Sequence, residues 1–538
     1  MRILVTGGTG TVGESAVTAL VRHGHEVRLF SRHAVDDARA WPQGVTGLDG
    51  DVGDPASVTG CADGCDAVLH LVAIVREAPP EATFARINVD GTRHVLAEAA
   101  RAGVRRFVYV SSLGADRGAS EYHGSKRAAE ALVRAAPLDW TICRVGNVYG
   151  SGDPVISLLL QWVRTLPVVP VIDDGDQPFQ PVWAEDLAEG LARCLERDDL
   201  GHRVLELTGA ERTCMNDVID RIGTIVGRKP VRVPVPNLLA TLGLKAAKQL
   251  GVDLPVDEGQ LTMLREGSVI DEPERNALVA ELGVTTTPLD EGLRRLADTQ
   301  PEQLPQDGVG GLERKRFWAE IEGCRFDAES LMARLGARFD ELTPGLMDLD
   351  AEPGTPSAVE EGAALTMELP LRGRVQVRVV EVTPRRITLV TLRGHPLAGA
   401  VRLLGEQRGD RVRFEVQVYD RSSNVADWVV MHPFGARVQD ANWTALVERV
   451  VEESGGTAPE GVQREQDTLD DEQAAEVEQW IAELVRARKR RERESEHSPE
   501  HEQHLARPLP SGEADDVARE AADEGRRPTG AGPDQPSP

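Results

Sequence analysis

Residues Thr6 to Gly13 read TGGTGTVG, directly after the apolar run Arg2–Thr6 (RILVT) and at the opening of a helical pattern, Val12–His23. A Gly-rich loop carries meaning in this setting, between a strand and a helix. Gly7 permits the tight turn, Gly10 lets the backbone approach a pyrophosphate, and Gly13 lets the helix pack closely on the strand. Thr11 and Val12 then stand at a helix N-terminus whose free N–H groups face the phosphates. Working outward, His25–Phe30 (HEVRLF), Ala67–Val72 (AVLHLV), Arg106–Val110 (RFVYV) and Trp140–Arg144 (WTICR) are further buried-strand candidates. Helical stretches such as Glu81–Ala102 lie between them. Continuous apolar strands alternating with helices predict a parallel sheet covered on both faces, a doubly wound α/β fold of the Rossmann type. Looser alternation continues to Asp298, with helices at Ala184–Glu196 and Thr213–Val226.

The second strand ends in Ser31 and Arg32 rather than in a carboxylate. A 2′-hydroxyl binder wants an acidic side chain there, whereas Arg32 suits a 2′-phosphate. NADP(H) is therefore the favoured cofactor, with NAD(H) as the alternative. The third signal is Tyr122-His-Gly-Ser-Lys126, in a chain with only four Tyr. On a helix the two residues share a face. The ammonium can lower the phenol pKa, so that Tyr122 exchanges a proton with a substrate hydroxyl or carbonyl. Ser111 and Ser112 follow the apolar strand RFVYV, at the strand end where such folds place ligands.

The chain has 538 residues and a net charge of −27, which sets aside nucleic acid as the main partner and suits a self-repelling soluble surface. No apolar run is long enough to span a membrane. The strand pattern at Met1 leaves no room for a signal peptide. Six cysteines form no framework and no CxxC, so a reducing cytoplasm is the expected location. His395 and His432 each precede Pro without ligand-spaced partners, and His23 and His25 bracket a turn. Asp173, Asp174 and Asp176 surround Gly175 as a solvated turn would. No metal site is expected.

Residues 299–311 (TQPEQLPQDGVGG) read as a linker after an α/β region of residues 1–298, whose substrate part is mainly 150–298. Beyond it, Leu365–Leu369, Arg374–Val382, Arg386–Arg393, Ala400–Glu406 and Arg411–Tyr419 are closely spaced strands of an antiparallel meander, closed by a helix at Asn442–Glu453. This makes 312–455 an α+β unit. Residues 456–538 have the composition of a disordered charged tail. Within it a helix at 470–493 carries the stripe Ala474, Val477, Trp480, Ile481, Leu484 and Val485, which would either dock on the body or on a protein partner or belong to a partly helical solvated tail, the composition favouring the last.

These residues together resemble the short-chain dehydrogenase/reductase superfamily, in its extended and atypical branches. TGGTGTVG, LDGDVGD, AVLHLVA, INVDGTRHVLAEAARAGVRRFVYVSS, YHGSKRAAE and RVGNVYG fall in the superfamily's order. SLGAD, LPVVPVIDDGDQPFQPVWAEDLAEGLARCLE and LELTGAERTCMNDVIDRIGTIVGRKP are similar to the group containing the NADPH-binding accessory subunit of respiratory complex I. The resemblance implies that Gly7, Gly10 and Gly13 hold the pyrophosphate, with Arg32 by the adenosine ribose. Asp51 and Val52 would stand by the adenine, and Ala73 on the ribose side. It makes Tyr122 and Lys126 the catalytic pair, with Lys126 also a ribose ligand, Ser112 rather than Ser111 the carbonyl holder, and Asn88 structural. Only nine residues separate Ser112 from Tyr122, and Val145 stands where Pro is usual. Both departures bear on catalysis rather than on cofactor binding. The expectation is an NADP(H)-dependent oxidoreductase or epimerase on a small hydroxyl- or keto-bearing substrate. The rival is a non-catalytic NADP(H)-binding subunit or redox sensor. TLRGHPLAG followed by RVRFEVQVYDRSS resembles helix-grip (START-like) domains, which implies an apolar ligand within 312–455.

Overall fold

In β1 (Arg2–Thr6), Ile3 and Val5 point into one apolar cluster and Leu4 into another, and all three are fully buried. A strand buried on both faces needs helices above and below, and the chain supplies them. The computed structural model describes all residues except 42, 237–267, 344–351, 354–358, 370–372 and 497–538. β1 is an inner strand of a seven-stranded sheet. Its other strands are β2 (Glu26–Ser31), β3 (Val45–Asp49), β4 (Ala67–His70), β5 (Arg106–Ser112), β6 (Asp139–Val145) and β10 (Arg203–Leu207). The order is β10-β6-β5-β4-β1-β2-β3, every pair parallel. The order reverses at β1, between β2 and β4, which opens a crevice at the strands' C-terminal ends.

One face carries the helices Thr11–Arg22 and Ala184–Glu196, whose Ala16, Val17, Leu20, Leu187 and Leu191 join Ile3, Val5 and Leu29. The other carries Gly91–Arg101 and Glu121–Ala135, with Val95, Ala99, Ala129 and Val133 against Leu4, Phe30 and Val68. The predicted helix Glu81–Ala102 begins as a π-helical turn, Phe84–Asp90, before it becomes α-helical at Gly91. Two short parallel pairs complete this part: β7 (Val148–Tyr149) with β9 (Val182–Trp183), and β8 (Val168–Ile172) with β11 (Val231–Val235). Part of the expected substrate region, 237–267, lies outside the described residues.

A second sheet is wholly antiparallel. It holds β12 (Val309–Ile321), β13 (Ala364–Leu369), β14 (Gly373–Thr383), β15 (Arg386–Thr391), β16 (Leu397–Arg408), β17 (Arg411–Ser422) and β18 (Gln463–Thr468). Their order is β13-β14-β15-β16-β17-β12-β18. The helix Ala328–Ala337 and the second half of the helix Val425–Ser454 pack Leu331, Met332, Leu446, Val447 and Val450 onto one face, against Phe317, Phe414 and Val416. The side chains of 425–438 lie outside those described, and with them part of the surroundings of any ligand within 312–455.

Two expectations need correction. The stretch 299–311 is no free linker: β12 starts at Val309, Gln303 N–H donates to the Thr391 carbonyl, and Gln300 is buried. Its backbone groups are spent on the second sheet, which composition does not report. The stretch 456–538 is also not all tail. Gln463–Thr468 adds an edge strand to β12, and its polar side chains add ion pairs to the backbone ladder, Asp467 with Arg314 and Glu465 with Arg316, both at 2.9 Å. The helix Asp471–Glu496 follows, and its Ile481 and Val485 pack on Val380, Val390 and Ala400 of the sheet's other face. The apolar stripe is thus covered by the chain's own body. Met1–Arg490 forms one compact unit, and Arg491–Pro538 is a separate one. No helix among the described residues is long and apolar enough to cross a membrane.

Candidate functional site

The Gly-rich loop has the geometry its sequence demands. Gly7 has φ +76°, and a Cβ on it would meet the Val72 backbone N at 2.9 Å. At Gly13 a Cβ would lie 2.2 Å from the Gly7 carbonyl O, so only glycine lets the helix come this close. At Gly10 the nearest atom to such a Cβ is 3.7 Å away, and the loop is open on that side. Gly10 also precedes the helix Thr11–Arg22, and no side chain caps that end. Thr11 and Val12 are half-buried there, their amides directed as an anion at the loop requires. A dinucleotide's pyrophosphate fits this cradle.

At the end of β2, Ser31 Oγ is buried without a hydrogen-bond partner, and Arg32 is exposed and makes no hydrogen bond to any described residue. An orphaned hydroxyl beside a free guanidinium is a fit for a phosphorylated ribose. Asp51 is more engaged than expected. Its Oδ1 accepts from Gly53 N–H at 2.8 Å, and its Oδ2 accepts from Arg86 at 3.2 Å. Val52 is buried with its carbonyl O 2.8 Å from His94 Nδ1, and Ala73 is half-buried just after β4.

The helix Glu121–Ala135, capped by the Ser120 hydroxyl, carries both Tyr122 and Lys126. Lys126 is 2% exposed; its Nζ donates to the Val110 carbonyl at 2.7 Å and lies 4.5 Å from the Tyr109 ring centroid. Burial lowers the ammonium to about 7, and the nearby Glu130 carboxylate works weakly against that. Burial pushes the Tyr122 phenol up to about 12. The expected lowering of the phenol by the ammonium is therefore absent from this arrangement, because Lys126 spends its amine on β5.

The serine pair divides its labour. Ser111 Oγ is buried and donates to Glu130 Oε1 at 2.7 Å, while Ser112, half-buried, has no side-chain hydrogen bond to a described residue. Glu130 also accepts two bonds from Arg144, both at 2.9 Å, and one from Arg134 at 3.0 Å, and these partners hold its carboxyl below the usual range. This buried network behind the site was not anticipated, although Glu130 stands four residues after Lys126. Asn88 donates to Ser125 Oγ at 2.9 Å and brackets Ile74 through both backbone groups, a bracing role. His70, at the end of β4, lies 2.6 Å from Thr6 Oγ1 and 3.0 Å from Thr92 Oγ1, and burial lowers it to about 3. Away from the crevice, His23, His25 and Glu196 converge, with Glu196 Oε1 3.0 Å from a nitrogen of each ring.

Fold and loop define a dinucleotide-binding protein of the short-chain dehydrogenase/reductase type. Residues 3–206 match the NAD dependent epimerase/dehydratase family. A ceramide reductase of Caulobacter vibrioides is 32% identical over 242 residues, covering 44% of this chain and 75% of that protein. A 3 beta-hydroxysteroid dehydrogenase/Delta 5-->4-isomerase of Mycobacterium tuberculosis is 41% identical over 119 residues, covering 21% of this chain and 31% of that one. Among solved structures, UDP-glucose 4-epimerase of Thermus thermophilus with NAD aligns at 24% identity and TM-score 0.43, over 55% of this chain and 98% of that chain. The chain belongs to the NAD dependent epimerase/dehydratase family.

Proposed function

We propose that the protein is an NADP(H)-dependent oxidoreductase or epimerase acting on a hydroxyl- or keto-bearing substrate. The observation that carries this reading is the convergence at the C-terminal ends of β1, β2 and β5. The open Gly10 loop, the unpaired Ser31 and Arg32, and the uncommitted Ser112 all stand at the C-terminal ends of parallel strands of one sheet, the edge at which such folds bind ligands. When bound, the nicotinamide supplies or accepts hydride. Ser112 then holds the substrate oxygen, and Tyr122 gives or takes its proton. Lys126, four residues on in the same helix, is buried against Tyr109 with its amine on the Val110 carbonyl, and so fixes the helix that carries Tyr122 to the end of β5. The relatives named for ceramide and for a 3β-hydroxysteroid favour a substrate with an apolar body.

A second reading has its own observation. The phenol stands at about 12 and the Lys126 amine is bound to Val110, an arrangement that suits a cofactor-holding subunit without turnover. Tyr122→Phe separates the two. With NADPH and a panel of long-chain and steroidal ketones, the variant should lose at least about 100-fold in turnover while its NADPH affinity stays unchanged. Unchanged turnover refutes the catalytic assignment.

A further inference from the structure

The C-terminal helix Asp471–Glu496 ends in a basic run, Arg486-Ala-Arg-Lys-Arg-Arg491, unusual in a chain of net charge −27. Its course explains where those charges go. Ile481 and Val485 fix one side of the helix to the second sheet, and buried Arg488 is tied to Glu302 at 2.9 Å. Beyond these anchors the helix reaches the first sheet. Lys489 Nζ lies 3.3 Å from Glu14 Oε1, and Glu14 is the residue immediately after Gly13. Arg486, three residues earlier and on the same side as Lys489, is half-buried and makes no hydrogen bond to a described residue. Its guanidinium is close enough to Asp37 to offset part of the rise that burial gives that carboxyl. Asp37 stands five residues after Arg32.

The two contact points, Glu14 and Asp37, flank the place where a doubly wound fold holds an adenosine ribose, between the first helix and the end of the second strand. We propose that Arg486 and Lys489 complete, with Ser31 and Arg32, a binding site for the 2′-phosphate of the dinucleotide, so that the C-terminal helix is part of the cofactor site. This rests on the NADP(H) reading above. Glu14 and Asp37 keep the two cations poised at the crevice, and a phosphate dianion is a stronger partner than either carboxylate. The arrangement also gives the second sheet a role in the first one's chemistry, because it is the platform on which the helix is mounted.

The test is direct titration of the purified full chain with NADPH and with NADH, followed by nucleotide fluorescence at about 50 mM salt, where surface charge is least screened. Arg486→Ala with Lys489→Ala should weaken NADPH about tenfold or more and NADH less than about twofold. Glu14→Gln should tighten NADPH, because it removes the competing carboxylate. The charge-keeping pair Arg486→Lys with Lys489→Arg should restore most of the NADPH preference, which a folding defect would not allow. If the double alanine variant keeps the wild-type NADPH-to-NADH ratio while Arg32→Ala abolishes it, the helix is not part of the site and the NADP(H) reading stands. If the wild type shows no preference for NADPH, both fall.

Discussion

Replacing Lys126 by Met turns the stability of the protein into a readout of the site's electrostatics. The amine is 2% exposed and burial lowers it from the ordinary 10.5 to about 7. The folded value lies below the unfolded one, so between pH 7 and 10.5 the unfolded chain binds more protons, and stability rises with pH across that window. Below pH 7 both states are protonated and the full cost of a buried cation is present. That cost is about 4–5 kcal/mol at about 1.4 kcal/mol per pH unit. Met keeps the apolar stem and removes the titration, at the loss of one hydrogen bond to Val110, about 1 kcal/mol. At pH 6.5 Lys126→Met should therefore be the more stable by about 3 kcal/mol, and the advantage should shrink steadily and reverse by about pH 10. Urea unfolding followed by tryptophan fluorescence at pH 6.5, 8 and 9.5 measures the difference, in which other titrating groups cancel. Tyr122, raised to about 12, is protonated in the folded state throughout this range. A wild-type-minus-variant difference that stays flat within about 0.5 kcal/mol from pH 7 to 9.5 would refute the placement of Lys126 in a dry environment.

The serine pair should separate cleanly under mutation. Ser111→Ala removes a donor from buried Glu130 and should cost about 1–3 kcal/mol in urea unfolding, whereas Ser112→Ala should change stability by less than about 0.5 kcal/mol and lower turnover. Gly13→Ala drives a Cβ to 2.2 Å from the Gly7 carbonyl, between backbone atoms that have nowhere to go. It should cost about 1–3 kcal/mol and abolish dinucleotide binding in the same titration used for the helix variants.

The first sheet was legible because each of its strands carries its own signal. β1 was read with its observed ends, and the helix Ala184–Glu196 likewise. A strand buried on both faces must be apolar throughout, and a Gly whose Cβ would collide cannot be anything else. The cofactor loop and the Tyr122–Lys126 helix share this local character. What the sequence did not disclose is the state of the side chains. Ser111 and Ser112 are chemically identical, and only Glu130, nineteen residues beyond Ser111 and fixed by Arg144 and Arg134, decides which hydroxyl is spent. The charge of Lys126 is likewise set by the depth of its burial against Tyr109, which no spacing reports.

The C-terminal segment was read only in part: its helix was legible, while the edge strand before it was not. Its composition is that of a solvated tail, yet residues 463–496 hold a strand and a helix. β18 reads QREQDT and offers the sheet its backbone and the ion pairs of Glu465 with Arg316 and Asp467 with Arg314, while the helix after it buries a narrow stripe. Composition measures how much apolar area a segment brings, but an edge strand needs little, since its ladder satisfies N–H and C=O groups whatever the side chains are. A narrow stripe is also enough once a platform already exists. Ile481 and Val485 meet Val380, Val390 and Ala400, residues of three other strands, so the helix takes its order from a sheet assembled by distant sequence. The same logic accounts for the basic run. As part of a free tail, Arg486 and Lys489 would be one more solvated pair of charges. Mounted on the sheet, they are carried to Glu14 and Asp37, 475 and 449 residues away in sequence. A segment's charge pattern acquires a function when a neighbouring surface fixes its direction, and here that surface is the second sheet.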